Sequence, residues 1–408
     1  MNDLWDLIVI GGGASGMMAA VTAAKKPDRR ILILERNDKL GRKLLQTGNG
    51  RCNLTNFKMD SGCYCRENAG FAMQVIRDFD EKAVTDFFFE AGLLLHNRQG
   101  YVYPYSDQAA SVNDVFHLLI RKWNVSVSYE TVVERIIKTD CFHIKTNKGD
   151  FCAHKLILAA GGAAYPKTGS DGSGYRLAEA FGHHIVTPLP ALTALFGDIK
   201  GQKKIAGVRC DGVVTLMADG VLLGRQRGEI QMTDYGISGI PVFQISRYAV
   251  QTLAKGETVV CEIDFLPDYD EKLISEMMFH RFEETNFTAE ECLSGLLHKK
   301  LTALFLWKAG IAAEKKAAKI TRELLLALAN TIKHFSFTVT GYKDFSFGQV
   351  CQGGVSVLEL SPSTMESKLV KDLYICGELA DVDGICGGYN LQWAWSSGHQ
   401  AGKAVWND

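Results

Sequence analysis

The chain opens on an apolar run, Leu7-Ile8-Val9-Ile10, and breaks into Gly11-Gly12-Gly13-Ala14-Ser15-Gly16. A second apolar run, Ile31-Leu32-Ile33-Leu34, then stops at Glu35. Continuous apolar runs bounded by turn signals predict strands buried on both faces, and the stretch between them predicts a connecting helix. The period then changes. Residues 71–91 place Phe79, Val84, Phe87, Phe88 and Ala91 near a helical repeat, and residues 110–122 predict another helix. Asn97-Arg98-Gln99-Gly100 predicts a turn between short strands, and residues 125–129 and 132–137 predict two more strands. Asn147-Lys148-Gly149 predicts a hairpin turn between 141–146 and 150–153, and 155–162 is a buried strand ending in small residues.

From about residue 191 the texture differs. Residues 205–267 carry short strands punctuated by Asp211-Gly212, Asp219-Gly220 and Lys255-Gly256, whereas 268–333 is helical in pattern. Strand character returns at 335–340 and at 373–378, and a last helix is expected from Gln392 to about Val405. The expected class is α/β: a Rossmann-like domain of the glutathione-reductase type, discontinuous in sequence, with an inserted β-rich unit and an inserted helical unit. The expected domains are 1–190 with 350–408 for the cofactor, 191–267 with 334–349 for the β-rich insert, and 268–333 for the helical insert.

The glycine turn carries chemistry. Gly11 permits the tight turn, Gly13 lets a pyrophosphate reach the backbone, and Gly16 lets helix and strand pack closely. The N–H groups of Ala14 and Ser15, at the opening of the helix, have no partner within it and point at the phosphates. Glu35, about 20 residues on, can accept hydrogen bonds from the adenosine ribose. The segment after Glu35 separates a flavin from a nicotinamide. Instead of another helix and strand, the chain runs a long loop of basic, glycine and amide residues. It passes through Arg36, Lys43 and Thr47-Gly48-Asn49-Gly50-Arg51-Cys52-Asn53. Such a loop suits FAD, bound non-covalently: Arg and Lys offset pyrophosphate charge, while Asn53 and backbone N–H groups meet the polar edge of the flavin ring. The competing reading is a solvated surface loop.

These blocks, with Ala160-Gly161-Gly162-Ala163-Ala164-Tyr165-Pro166 and the run from Gly377-Glu378 through Gly387-Gly388-Tyr389-Asn390-Leu391-Gln392, resemble the BaiN/aminoacetone-oxidase-type family of bacterial flavoproteins over nearly the whole chain. The resemblance implies that backbone at Val133 meets the adenine ring, against a plain core strand residue. It also implies that Ala160 and Gly161 pass close to the FAD. Glu378, at a strand end, can reach the ribityl hydroxyls, with a surface carboxylate as the alternative. Asn390 and Leu391 open a helix whose N–H groups can face the pyrimidine edge of the flavin, where negative charge collects on reduction. Within that helix Gly398 and Gly402 share a face and are read as packing positions. Two segments depart from the family pattern: Gln231-Met232-Thr233-Asp234-Tyr235-Gly236-Ile237-Ser238-Gly239 and Val350-Cys351-Gln352-Gly353-Gly354-Val355. They make Asp234 and Cys351 candidate specificity positions.

Composition narrows the class. The chain has 408 residues, 47% hydrophobic and 22% charged, which suits a large buried core. Its net charge of −1 leaves no basic footprint for nucleic acid. The acidic start and the lack of a long apolar stretch predict a cytosolic protein with no membrane span. Eleven cysteines without repeated spacing are read as buried thiols, Cys63-Tyr64-Cys65 fits neither a redox nor a zinc half-site, and ten histidines form no metal motif. No metal is expected.

There is no second GxGxxG, so any NAD(P)H would dock transiently rather than in its own domain. No catalytic residue is assigned. Tyr165, Tyr235 and Tyr389 are candidates for a proton donor, each also readable as a packing tyrosine, and Cys52 is read as a buried thiol rather than a nucleophile. Three functional readings remain. The resemblance implies reduction of a conjugated C=C bond in a 3-oxo bile acid or steroid enone, with an apolar substrate. The second is oxidation of a small amine using oxygen, and the third a flavin-bearing sensor, for which no output domain is visible. Oligomeric state is left open.

Overall fold

The computed structural model of the chain describes residues 4–65, 67–283 and 286–407. The first three residues of the acidic start therefore lie outside the described residues. Two units emerge: Met1–Pro190 with Gly348–Asp408, and Ala191–Phe347.

In the first unit a seven-stranded sheet is built outward from Leu4–Ile10, which runs parallel to Ile31–Leu34 on one side and to Gly149–Leu158 on the other. Leu7, Ile8, Val9, Ile33 and Ile157 have no exposed surface. That burial is why their runs are apolar without alternation. Ser126–Ser128 extends the parallel edge beyond Ile31–Leu34. Gly149–Leu158 is one uninterrupted strand of ten residues where the pattern suggested two, because neither glycine nor proline breaks it between Asp150 and Leu158. Its other edge is divided. Phe142–Thr146 pairs antiparallel with Gly149 to Ala153, and Leu373–Ile375 pairs parallel with its last three residues. Val133–Lys138 completes the antiparallel end.

The helical stretch expected at 71–91 is two helices, Ala69–Arg77 and Glu81–Glu90. Asp80 separates them by accepting the Ala83 N–H at 2.8 Å, the N-cap use of a short carboxylate that ends one helix and starts the next. The last helix, Tyr389–Ala404, begins three residues earlier than expected, with Gly388 as its N-cap. It lies against the opening helix, Ala14–Ala23, through small residues.

The second unit holds a closed six-stranded barrel in the order Leu195–Gly197, Gly236–Ser238, Val221–Met232, Arg209–Ala218, Val259–Asp264, Phe335–Tyr342. Closure leaves no strand edge exposed. Between its strands runs Ile240–Ala254, a 15-residue helix where only short strands were expected. Pro241 sits in its first turn, and Val242, Ile245 and Ala249 bury one face. The helices Glu271–Glu283, Lys299–Lys308 and Arg322–Lys333 share one apolar cluster with the barrel, in which Phe305, Leu325 and Leu328 meet Val259, Ile263 and Phe335. Among the described residues no helix is long and apolar enough to cross a membrane.

Candidate functional site

A cleft with an enclosed volume of about 200 Å³ opens at the carboxyl ends of the parallel strands in the first unit. This is where open α/β sheets bind ligands. The turn after Leu4–Ile10 lines it with Gly11, Gly12, Gly13, Ala14 and Ser15. Gly11 has φ +101°, and a side chain there would press on the Ala159 carbonyl, so only glycine fits the turn. At Gly13 a Cβ would meet nothing within 4 Å: the backbone faces open cleft. Gly16 sits beneath the turn, against the Gly11 carbonyl, and does not line the cleft.

Two helix N-termini reach the cleft. The opening helix starts after Gly13 and the last helix after Gly388; neither has a side-chain cap, and neither has an acid in its first turn. Ala14 and Ser15 from one, and Asn390 and Leu391 from the other, line the same space. Uncapped N–H groups together with the positive ends of two helix dipoles make this a place for negative charge.

The charged side chains of the cleft are held by defined partners. Glu35 is 6% exposed; it accepts the Gly12 N–H at 2.8 Å and both the N–H and side-chain amide of Asn37 at 2.7 Å. Lys43 donates to Glu378 at 2.5 Å, and the other Glu378 oxygen accepts the Cys351 N–H at 2.7 Å. Arg36 pairs with Asp171 at 2.6 Å and also reaches Ser173. Burial pushes the Asp171 carboxyl up, but hydrogen bonds from Ser173 and the Arg36 pair outweigh it and hold the group below the usual carboxylate range. Arg36, Arg42 and Lys43 against Glu35 and Glu378 leave the lining with one excess positive charge. Val133, Ala160 and Gly161 line the cleft as well.

Gly50, Arg51, Cys52 and Asn53, also expected at the cofactor, do not line this cleft. The reason is backbone geometry: Gly48, Asn49, Gly50 and Cys52 all take positive φ, which coils the loop and presents Thr47 to the cleft instead. Cys52 is fully buried, and burial pushes its thiol up to about 12, a neutral group at physiological pH. Asn53 is buried, and its Oδ1 has no hydrogen-bond partner.

Pattern reading missed Asn37, Thr131, Thr168, Gly169 and Gln349, which are among the other residues of the lining. Asn37 alone carried a signal, as an amide two residues after the acid; its side chain bridges Glu35 and the Thr168 carbonyl. The candidate specificity residues are separated. Cys351 is buried with its Sγ accepting the Ala163 N–H at 3.0 Å, and burial followed by the Glu378 charge raises its thiol to about 12. Asp234 lies exposed on a barrel turn in the second unit. Of the tyrosines, Tyr389 donates its hydroxyl to the Lys58 carbonyl at 2.9 Å, and Tyr235 packs edge-on to Phe196 beneath Lys343.

A flavin dinucleotide fits this donor set. The two uncapped helix starts suit a pyrophosphate and an electron-rich ring edge, and the open face of Gly13 suits close approach.

The family model described as HI0933-like protein Rossmann domain matches residues 5–404. A 3-dehydro-bile acid delta(4,6)-reductase of Clostridium scindens is 40% identical, over 97% of this chain and 98% of that protein. A ribosomal RNA dihydrouridine synthase of Escherichia coli is 31% identical, over 96% of each. Among solved structures, 3-ketosteroid delta1-dehydrogenase from Sterolibacterium denitrificans superposes with a TM-score of 0.51 at 11% identity, covering 98% of this chain and 99% of that one. This last likeness is one of fold.

Proposed function

The chain belongs to the HI0933-like Rossmann-domain family and is a flavin-dependent oxidoreductase; on that premise we propose that it binds FAD and reduces C=C bonds conjugated to a carbonyl, in a 3-oxo bile acid or steroid enone. The observation that carries the substrate class is the 40% identity, end to end, to a reductase named for such a substrate. The second relative supports the bond type. Dihydrouridine is uridine saturated at a ring C=C bond that is itself conjugated to a carbonyl, so both names describe hydrogen added across a conjugated double bond.

When bound, the flavin supplies the hydride that adds to the carbon β to the carbonyl. The chain's own residues bind and orient. Ala14 and Ser15 N–H groups hold the pyrophosphate, with Arg36 and Lys43 at its flanks. Glu35 accepts from the adenosine ribose, and backbone at Val133 meets adenine, which favours FAD over a mononucleotide. Glu378, held by Lys43 and the Cys351 N–H, would accept from ribityl hydroxyls. Asn390 and Leu391 present the second helix start to the pyrimidine edge, raising electron affinity there.

A second reading, reduction of a uridine in ribosomal RNA, is supported by the 31% relative. The net charge of −1 favours the small substrate, since binding RNA rests on neutralising phosphates. The test is anaerobic. With the flavin photoreduced, addition of a 3-oxo-Δ4 bile acid is expected to restore the oxidised flavin spectrum and yield the saturated ketone. Reoxidation by a uridine-bearing ribosomal RNA fragment but not by the enone would replace the first reading with the second. Reoxidation by oxygen alone would reject both and bring amine oxidation forward.

A further inference from the structure

We propose that Cys141, His143 and Cys152 form a site for one thiophilic divalent cation of the zinc class, on the outer face of the antiparallel hairpin. None of the three lines the cofactor cleft. They come together through strand register. Cys141 immediately precedes Phe142–Thr146, whose inward positions are Phe142 and Ile144, and stands two residues before the outward-facing His143. His143 is paired directly with Cys152 on the neighbouring strand. Chain spacing, Cys-x-His and then a cysteine beyond a turn, matches no zinc motif, and only the hairpin pairing reveals the set.

The distances suit a metal. One donor atom from each residue lies within 4.8 Å of the others. Nδ1 lies 3.4 Å from Cys152 Sγ, the spacing of two ligands of one ion, while Cys141 Sγ sits 3.6 Å from Nε2 at the other edge of the ring and turns toward Nδ1 to share the ion. In a tetrahedral zinc site, bonds of about 2.3 Å to sulfur and about 2.0 Å to nitrogen separate neighbouring S and N atoms by roughly 3.5 Å.

The imidazole is also oriented. Its Nε2 lies 3.0 Å from Thr139 Oγ1, which in turn donates to Asp140 Oδ1 at 2.6 Å. That chain favours the tautomer with the proton on Nε2 and leaves the Nδ1 lone pair for the ion, the outer support that metal-bound histidines use. Cys141 is 8% exposed, while Cys152 and His143 are open enough to admit an ion and a water as fourth ligand. Soft sulfur donors select a zinc-like ion over magnesium or calcium. Binding releases the two thiol protons to solvent.

The experiment uses the full-length flavoprotein, reduced with a phosphine and titrated with Co²⁺. One equivalent is expected to give thiolate charge-transfer bands and d–d bands to the red of flavin absorption, and Zn²⁺ should displace it. C152S and H143A, both changes at exposed or half-buried positions, are expected to weaken Zn²⁺ binding about tenfold or more in chelator competition, with flavin content unchanged. C65S serves as the control cysteine and should bind as the parent does. Absence of a stoichiometric cobalt–thiolate spectrum overturns the proposal, as does equal Zn²⁺ affinity in the parent, C152S and H143A.

Discussion

Glu35 shows how one side chain serves both fold and cofactor. Its carboxylate fastens the glycine turn through Gly12 and the following loop through Asn37, yet Oε2, which accepts only the Gly12 N–H, keeps a lone pair for a further donor. Glu35→Ala leaves the Gly12 N–H without its partner, at a cost of about 1–3 kcal/mol, and removes the acceptor proposed for ribose. Flavin retained after dilution and gel filtration is expected to fall about tenfold. Glu35→Gln, whose amide oxygen still accepts from Gly12, should keep the parent's unfolding midpoint and lose flavin to a smaller extent. Full flavin occupancy in Glu35→Ala would reject the ribose assignment. The acid itself was legible because its spacing from the glycines is set by one strand–helix–strand unit. Its second partner, Asn37, left only its position two residues after the acid as a signal, because a side-chain hydrogen bond leaves no mark on hydrophobic periodicity.

At the scale of elements, the crossing of Ala14–Ala23 and Tyr389–Ala404 decides where both helix starts point. A Cβ on Gly398 would come within 2.4 Å of the Ser15 carbonyl, and one on Gly402 within 2.3 Å of the Ala19 carbonyl. Gly398→Ala must therefore push the helices apart. The expected cost is about 1–3 kcal/mol in urea unfolding, together with reduced flavin retention, because the uncapped N–H groups of Ala14 and Ser15 move with their helix. A stability and flavin content equal to the parent's would show that the crossing tolerates slack. The glycine pair was visible as two small residues one helical turn apart. By contrast, Ile240–Ala254 went unread because glycine turns flank it on both sides and resemble strand punctuation, although Pro241 and the spacing of Val242, Ile245 and Ala249 were a helical signal.

For the molecule as a whole, acid sensitivity has a named contributor. His399 stacks on Phe79 with ring centroids 4.1 Å apart, and its buried Nδ1 has no hydrogen-bond partner. Burial first, then the Lys25 and Lys403 charges, hold its pKa at about 4, below the ordinary 6.5. Between those values the unfolded chain binds a proton that the folded chain refuses, so stability falls as pH drops through that window and levels off below it. The full contribution is on the order of 3 kcal/mol. Urea unfolding at pH 7 and pH 4.5 should show His399→Gln losing less stability than the parent over that interval; equal losses would locate the acid sensitivity elsewhere. The sequence by itself determined the parallel core, the glycine turn and the acid that comes after it. Continuous apolar runs have only a buried sheet to occupy, and the phosphate turn demands a residue without a side chain. Tertiary structure alone decided which charges meet. Lys43 and Glu378 are 335 positions apart in the chain and Arg36 reaches Asp171 across the cleft, while His143 faces Cys152 only once the hairpin register is set. Local pattern encodes period and backbone conformation, but a Coulomb partner or a metal ligand is selected by distance in space, which exists only after the chain has closed on itself.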